Sequence, residues 1–186
     1  ADEINRAPAK TQAALLEAMQ ERQVTLEGHS IALPKPFMVL ATQNPIEQEG
    51  TYPLPEAQLD RFLLKIRIDY LSAAEEAAMT RQVTDRSTGA DLQVDQVNTL
   101  MRPETIVALQ QCVAHVAVDG RVLDYAVAIV RATRDTPGIA CGAGPRGSIA
   151  LIRAARGAAL LAGRAFVIPD DIKRIALPSL RHRVTP

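Results

Sequence analysis

The strongest constraint on the fold is a change of sequence pattern near Tyr70. Before it, residues 37–42 and residues 63–68 are short apolar runs of the length and composition that form sheet strands. After it, apolar residues recur only at helical spacing. The pattern therefore predicts a sheet-containing part over residues 1–70 and an all-helical part over residues 71–186.

Local signals predict individual elements within both parts. Residues 8–21 have helical periodicity, with Pro8 able to occupy the first turn. Residues 23–33 read as a hairpin, because Gly28 can adopt the positive backbone angle of a tight turn. Ser72 and Glu75 have the spacing of a capping box at a helix start. Further helical stretches are predicted at 57–61, 103–116, 121–134, 145–162 and 169–181, and a loop is predicted at 46–55.

Composition limits the class of protein. Hydrophobic residues make up 47% of the chain but aromatic residues only 3%, so an aliphatic core of closely packed helices is expected. Two cysteines, Cys112 and Cys141, are too few for a disulfide framework and favour a reducing, cytoplasmic compartment. No apolar run approaches the ~20 residues of a membrane span, and the start carries neither Met nor a signal-peptide pattern. We expect a soluble chain that is a portion of a longer one.

The charges balance overall but are unevenly placed. Residues 140–186 contain eight Lys or Arg and only two acids, Asp170 and Asp171. Such a basic region could attract the phosphates of a nucleotide or a nucleic acid, and it could equally be the solvated face of helices. The scarcity of aromatic residues disfavours single-stranded nucleic acid as a partner.

Acidic and amide side chains suggest phosphoryl-transfer chemistry at one edge of the predicted sheet. Of the adjacent carboxylates Asp2 and Glu3, one could hold Mg²⁺ while its neighbour orients an attacking water. Asn44 ends an apolar run, where ligands bind in open α/β sheets. Taken singly, adjacent acids are more often a solvated surface, and Asn-Pro is more often a turn.

Three longer motifs resemble the MoxR family of AAA+ ATPases. They are Asp-Glu-Ile-Asn-Arg-Ala-Pro at 2–8, Ala-Thr-Gln-Asn-Pro at 41–45 and Gly-Thr-Tyr-Pro-Leu-Pro-Glu-Ala-Gln-Leu-Asp-Arg-Phe at 50–62. The resemblance covers essentially the whole chain. It implies the C-terminal half of an α/β P-loop NTPase core, with the end of strand 3, the hairpin and strands 4 and 5, followed by an all-α helical lid bundle.

The resemblance also implies roles for five residues and two cofactors, ATP and Mg²⁺. Asp2 and Glu3 match the Walker B pair, with Asp2 toward Mg²⁺, and Asn44 matches the first sensor. Arg61 matches the arginine finger offered to a neighbouring subunit, and its planar, permanently charged guanidinium suits phosphate. Arg146, at the start of a helix, matches the second sensor of the lid.

Four other interpretations concern single motifs or residues. Arg61 could instead form an ordinary surface pair with Asp60, worth about 0–1 kcal/mol. Residues 142–147 satisfy G-x-G-x-x-G, but no predicted strand precedes them, so a dinucleotide site is not expected. The scattered histidines have no partners at metal-ligand spacing. The hairpin around Gly28 corresponds to one that often faces the central pore in similar ATPases, and it could equally be a plain surface hairpin.

The family resemblance implies a hexameric ring that hydrolyses ATP and remodels or matures partner proteins. In this family such partners often contain von Willebrand factor A domains. The phosphate-binding motif G-x-x-x-x-G-K-[ST] does not occur in the sequence, so this chain alone is not expected to hydrolyse ATP. Two alternatives remain open: a magnesium-chelatase-like ATPase subunit and a non-catalytic protein-interaction module.

Overall fold

The structure is a computed structural model that describes residues 1–44, 52, 54–85 and 97–186. Its contacts form two compact units, one made of Ala1–Lys65 together with Pro103–Pro186 and the other of Ile66–Arg102. The division of the chain at residue 70 remains a prediction. The loop predicted at residues 46–55 lies, except for three residues, outside the described part of the chain.

The first unit begins with a 3-10 turn, Ile4–Arg6, and helix α1, Ala9–Glu21. The predicted helix is confirmed, although Pro8 precedes its first residue rather than lying within it. Arg22 ends α1 in the left-handed conformation, and its backbone N–H donates to the Ala18 carbonyl at 3.1 Å. This C-terminal bond satisfies a carbonyl that the helix leaves open.

The predicted hairpin is confirmed. Strand β1, Gln23–Leu26, pairs in antiparallel fashion with strand β2, His29–Ala32. Glu27 and Gly28 connect the strands with φ angles of 49° and 83°. Two consecutive positive φ angles are the mark of the tight hairpin turn whose twist matches that of the strands.

The two other predicted strands are not strands in the structure. Residues 40–42 share three main-chain hydrogen bonds with the first residues of the chain: the Ala1 amine to the Leu40 carbonyl at 2.7 Å, and two backbone bonds of 3.0 Å that involve Thr42. Residues 63–68 form neither a helix nor a strand, and Ile68 is 90% exposed. An apolar run forms a strand only where a neighbour supplies hydrogen bonds along it, and among the described residues only β1 and β2 form such a ladder.

The second unit contains helix α3, Ala73–Thr84, whose predicted start is confirmed. The Glu75 N–H donates to Ser72 Oγ at 3.4 Å, and the Ser72 N–H donates to Glu75 Oε2 at 3.0 Å. This reciprocal pair is a capping box, which satisfies two of the N–H groups that a helix start leaves open.

The remaining helices of the first unit match their predicted positions closely. They are α2, Glu56–Leu59; α4, Pro103–His115; α5, Gly120–Asp135; α6, Pro145–Leu161; and α7, Pro169–Leu180. Pro145 and Pro169 open their helices, where a missing N–H costs little. Gly163 follows α6 with a φ of 71°, as the predicted helix stop requires. No helix among the described residues has the length and apolar character needed to cross a membrane.

The aliphatic core predicted from composition is formed by α5, α6, α7 and the segments between them. Leu151 and Ile172 are fully buried at its centre. The core consists of Val116, Val122, Ala126, Val130, Ala143, Leu151, Ala155, Ala159, Val167, Ile172 and Leu180. Four of these eleven residues are alanines, whose small side chains let the helices approach one another closely. This packing fixes the start of α6 and the end of α7, both of which contribute to the site below.

Candidate functional site

The first group of predicted site residues lies where the start of the chain meets residues 40–44. The Thr42 hydroxyl accepts a hydrogen bond from the Glu3 backbone N–H at 2.8 Å and donates one to Asp2 Oδ1. Asn44 lies two residues further on, and its carbonyl accepts from Asn5 Nδ2 at 3.5 Å. The structure therefore brings together Asp2, Glu3, Thr42 and Asn44, which we call the carboxylate edge.

Glu3 has an unusual backbone and a charged partner. Its φ of 45° lies in the left-handed region, which non-glycine residues seldom adopt and which occurs often at functional sites. Its carboxylate pairs with Arg6 at 3.2 Å, and both side chains are partly exposed. In this conformation Arg6 occupies the carboxylate that would orient a water, so the ion pair must open before Glu3 can act as a base.

The carboxylate edge offers oxygen atoms of the kind that Mg²⁺ prefers. Within the described part of the chain, no three His, Cys, Asp or Glu side chains form a cluster able to hold a metal ion. Mg²⁺ is commonly bound by one or two carboxylates together with phosphate oxygens and water. The side chains present fit that mode of binding, with Asp2 as the protein ligand held in place by Thr42.

The second group of predicted site residues surrounds Asp60. Asp60 Oδ1 accepts from Arg183 Nε at 2.8 Å, and Asp60 Oδ2 pairs with Arg146 at 3.5 Å. Both carboxylate oxygens of Asp60 are thus engaged by arginines other than Arg61, the partner considered from the sequence. Asp60 instead links the predicted second sensor, in the first turn of α6, to the segment that carries the predicted finger.

Arg61 follows α2 directly and is partly buried. Its backbone N–H donates to the Gln58 carbonyl at 3.2 Å, which fixes the main chain. Its side-chain Nε is buried and has no hydrogen-bond partner among the described residues. Buried polar groups normally find a partner, so this nitrogen is an exception, and because it is buried a phosphate would have to meet the other nitrogens of the guanidinium.

Arg183 donates hydrogen bonds to the backbone on both sides of Arg61. Its side chain is only 3% exposed, and it donates to the carbonyls of Asp60 at 2.9 Å, Phe62 at 2.6 Å and Leu63 at 3.4 Å. It also donates to the Ser179 carbonyl at the end of α7. Burial lowers the pKa of the Arg183 guanidinium, and the hydrogen bond to Asp60 opposes that shift.

His182 supports the same segment. Its Nε2 lies 3.0 Å from the Phe62 carbonyl oxygen, so this nitrogen must carry the hydrogen and donate. Its Nδ1 is buried without a partner among the described residues. Burial lowers the pKa of His182, and the positive charge of Arg183 lowers it further.

A cavity of about 180 Å³ lies beside this group. It is smaller than the roughly 300–1,000 Å³ of pockets that enclose a drug-sized ligand, so it cannot contain a nucleotide. A phosphate that reaches Arg61 or Arg146 would instead approach from the surface. The cavity is lined by Glu56, Ala57, Asp60, Cys141, Gly142, Gly144, His182, Arg183 and Thr185.

The predicted site residues thus fall into two groups, the carboxylate edge and the pair Arg61 and Arg146 around Asp60. Sequence reasoning missed three members of these groups: Thr42, Asp60 in its bridging role, and Arg183. Thr42 lies two residues before Asn44, so its hydroxyl could have been predicted from the sequence to lie at the same edge. Arg183 offers no such signal, because its contact with Asp60 spans 123 residues of sequence.

Two sequence profiles match the chain. That of the ATPase family associated with various cellular activities matches residues 1–64, and that of the AAA lid domain matches residues 131–186. The uncharacterized protein YeaC of Bacillus subtilis is 48% identical over 184 residues, which are 99% of this chain and 56% of YeaC. Chaperone MoxR1 of Mycobacterium tuberculosis is 46% identical over 193 residues, which cover 99% of this chain and 49% of MoxR1.

A solved structure also has the same fold as this chain. The crystal structure of a candidate ATPase from Cytophaga hutchinsonii superposes with a TM-score of 0.89 at 40% identity, over 100% of this chain and 57% of that one. The chain therefore spans about half the length of the relatives it matches. Its fold class is the predicted one, a core portion of an AAA+ ATPase followed by a helical lid. The chain belongs to the MoxR family of AAA+ ATPases.

Proposed function

We propose that the full-length protein containing this chain hydrolyses ATP in a ring of identical subunits, with each active site shared between two neighbours. The observation that carries the proposal is the ion pair of 3.5 Å between Arg146, the predicted second sensor, and Asp60, the residue before the predicted finger. Two arginines on one surface suit the phosphates of a nucleotide held by an adjacent subunit.

The carboxylate edge would serve the subunit's own nucleotide. Asp2 would hold Mg²⁺, which would supply positive charge to neutralise the charge that develops on the transferred phosphoryl group. Glu3, once released from Arg6, would orient the attacking water and accept its proton. The Asn44 amide, at the same edge, would help to position that water. Thr42 restricts the Asp2 carboxylate, which reduces the reorganisation needed on binding.

The arginine surface would act on the neighbour. Arg61 would donate to γ-phosphate oxygens through its planar guanidinium. Arg146, about half exposed, would reach the same phosphate from the lid. Such positive groups stabilise the charge that spreads over the transferred phosphoryl group in the transition state.

The work of the ring is proposed from relatives. One relative is named a chaperone, which supports a role in remodelling or maturing other proteins. A hexameric ring, clients with von Willebrand factor A domains and a cytoplasmic location remain predictions. The match to MoxR1 along 99% of the chain favours this function over the magnesium-chelatase-like alternative.

The first experiment changes Glu3 in the full-length protein. Glu3→Gln should preserve ATP binding and lower turnover by roughly 10²–10⁴-fold, the usual contribution of a general base. Glu21→Gln, an exposed acid at the end of α1, is the matched control. If Glu3→Gln leaves turnover unchanged, Glu3 is not the base, and if the wild-type protein binds no nucleotide, the interaction-module alternative is favoured.

The second experiment tests the shared site. Arg61→Ala should lower turnover, and mixing Arg61→Ala subunits with Glu3→Gln subunits should restore part of it. In a mixed ring, an intact carboxylate edge from one subunit can meet an intact Arg61 from the other. Activity of the mixture that never exceeds the sum of the separate variants would contradict the shared site.

A further inference from the structure

We propose that Arg183 is a positioning residue that sets the place of Arg61 and couples it to the lid. This inference rests on the proposed function of Arg61 at a neighbour's nucleotide. It concerns the segment Glu56 to Lys65 and the segment Pro178 to Thr185, which we together call the clasp.

The bonds of Arg183 lie on both sides of Arg61 along the backbone. It donates to the carbonyl of the preceding residue, Asp60, at 2.9 Å and to that of the following residue, Phe62, at 2.6 Å. It also donates to the Asp60 carboxylate at 2.8 Å. Because the carbonyls before and after Arg61 are both bound, the position of the Arg61 Cα atom, from which its side chain extends, is restricted.

Only a guanidinium can make this set of contacts. Arginine carries five N–H donors in a rigid, planar fork, whereas the lysine ammonium is a compact point charge with three donors. The side chain of Arg183 is 3% exposed, so water cannot readily replace a lost bond. An Arg183→Lys substitution keeps the charge and loses the fork, which makes it a specific probe of position.

Other clasp bonds join the same two segments. The Lys65 N–H donates to the Pro178 carbonyl at 2.8 Å, within α7. The Thr185 hydroxyl donates to Glu56 Oε1 at 2.9 Å. His182 donates to the Phe62 carbonyl at 3.0 Å. The two segments of the clasp are therefore hydrogen-bonded to each other from Glu56 to Lys65, on both sides of Arg61.

Asp60 extends the connection to α6. One carboxylate oxygen accepts a hydrogen bond from Arg183, three residues after the end of α7, and the other pairs with Arg146, in the first turn of α6. Because α6 and α7 share one buried core, the lid, Arg146 and the Arg61 segment are tied together. A movement of the lid would thus change the place of both arginines at the neighbouring subunit's nucleotide.

The test measures ATP turnover and ATP affinity of the full-length ring with Arg183→Lys. The expected result is a fall in kcat of roughly tenfold to a hundredfold, as a misplacement of about 1 Å can produce, with the Kd for ATP unchanged. Arg174→Lys, an exposed arginine on α7, is the matched control and should keep wild-type kcat. An unchanged kcat in Arg183→Lys would overturn the proposal.

Subunit mixing separates positioning from a general structural effect. If Arg183 acts through Arg61, Arg183→Lys subunits keep a working carboxylate edge, and mixing them with Glu3→Gln subunits should restore turnover as Arg61→Ala does. Rescue of Arg61→Ala without rescue of Arg183→Lys overturns this inference and leaves the proposed function intact. Failure of both mixtures overturns the shared site itself.

A second variant covers the case in which Arg183→Lys does not fold. Asp60→Asn removes the charge shared by Arg183 and Arg146 while retaining the shape of the side chain. It should lower kcat without changing the Kd for ATP, and it should be rescued by the same mixing. Wild-type kcat in a folded Asp60→Asn ring would overturn the coupling between lid and finger.

Discussion

Arg183 Nε lies 2.8 Å from Asp60 Oδ1, which joins the end of the last helix to the residue before Arg61. The Arg183 side chain is 3% exposed and the Asp60 side chain 25% exposed, so the pair is largely removed from water. Burying two charges costs solvation that their attraction only partly returns. The pair is therefore better explained by the geometry that it fixes than by any net stability that it adds.

The first prediction concerns the stability of this pair. Arg183→Met should lower the free energy of unfolding by about 3–5 kcal/mol, because it leaves the Asp60 charge and several carbonyls without their buried donor. The double variant Asp60→Leu with Arg183→Met should regain part of that loss, since no isolated charge remains. Urea denaturation of the full-length protein and its variants measures both values.

Arg174→Met is the control for this cycle, because Arg174 is exposed on the same helix. It should change the unfolding free energy by no more than about 0.5 kcal/mol. A loss in Arg183→Met as small as that of Arg174→Met would show that the clasp does not contribute to stability.

The second prediction concerns mildly acidic pH. Burial lowers the pKa of His182 below its ordinary value of 6.5, so the folded state favours the neutral ring. The unfolded chain takes up the proton at higher pH than the folded chain does, and this contribution to stability is present above pH 6.5 and is lost as the pH falls below it. Unfolding free energies measured between pH 7.5 and 5 should show this decline.

His182→Gln should reduce the decline, because the amide can donate to the Phe62 carbonyl and does not titrate. His29→Gln, on the exposed hairpin, is the control. An identical pH dependence in wild type and His182→Gln would mean that His182 is not responsible for the loss.

The third prediction concerns stronger acid. Arg164 donates to both oxygens of Asp171, at 2.8 Å and 2.6 Å, and the Ile168 N–H donates to the same carboxylate at 3.0 Å. The bond to Arg164 is the main cause that lowers the pKa of Asp171 from its ordinary 3.8. The stabilisation is therefore present above pH 3.8 and is lost as the pH falls through the lower folded pKa.

Asp171→Asn should remove that acid-dependent loss and lower the unfolding free energy at neutral pH by about 1.5–3 kcal/mol, the range for hydrogen bonds to charged groups. Asp170→Asn is the neighbouring control, since the Asp170 side chain is 78% exposed. Thermal unfolding followed from pH 7 to pH 2.5 compares the two variants. Equal behaviour of both would contradict the role assigned to Asp171.

The helices could be predicted because their signals are local. Pro145 and Pro169 mark helix starts, and the Ser72 and Glu75 pair marks another, each within four residues of sequence. The two apolar runs that were expected to be strands depend on neighbours elsewhere in the chain, and the pattern of a run contains no information about whether that neighbour is present.

The candidate site likewise contains residues that local motifs predict and contacts that they do not. Asp2, Glu3, Asn44, Arg61 and Arg146 were found from short motifs and the family resemblance, and their catalytic roles remain proposals. The link between Asp60 and Arg183 could not be found, because a contact across 123 residues leaves no periodicity or spacing to read. Its existence depends on how α6 and α7 pack, which is a property of the folded core.

The last prediction concerns Gly142, the first glycine of the G-x-G-x-x-G stretch. A Cβ built on Gly142 would lie 2.6 Å from both the Arg134 Cα and the Thr133 carbonyl oxygen, which are backbone atoms of α5 that no rotamer change can move. Gly142→Ala should therefore push this segment away from α5 and lower the unfolding free energy by about 1–3 kcal/mol, the usual cost of overpacking. Gly157, inside α6, has open space around its Cβ position, so Gly157→Ala should instead raise stability by about 0.5–1 kcal/mol. Urea denaturation of the two variants should give shifts of opposite sign, and a stabilising Gly142→Ala would show that the close approach to α5 does not restrict this position.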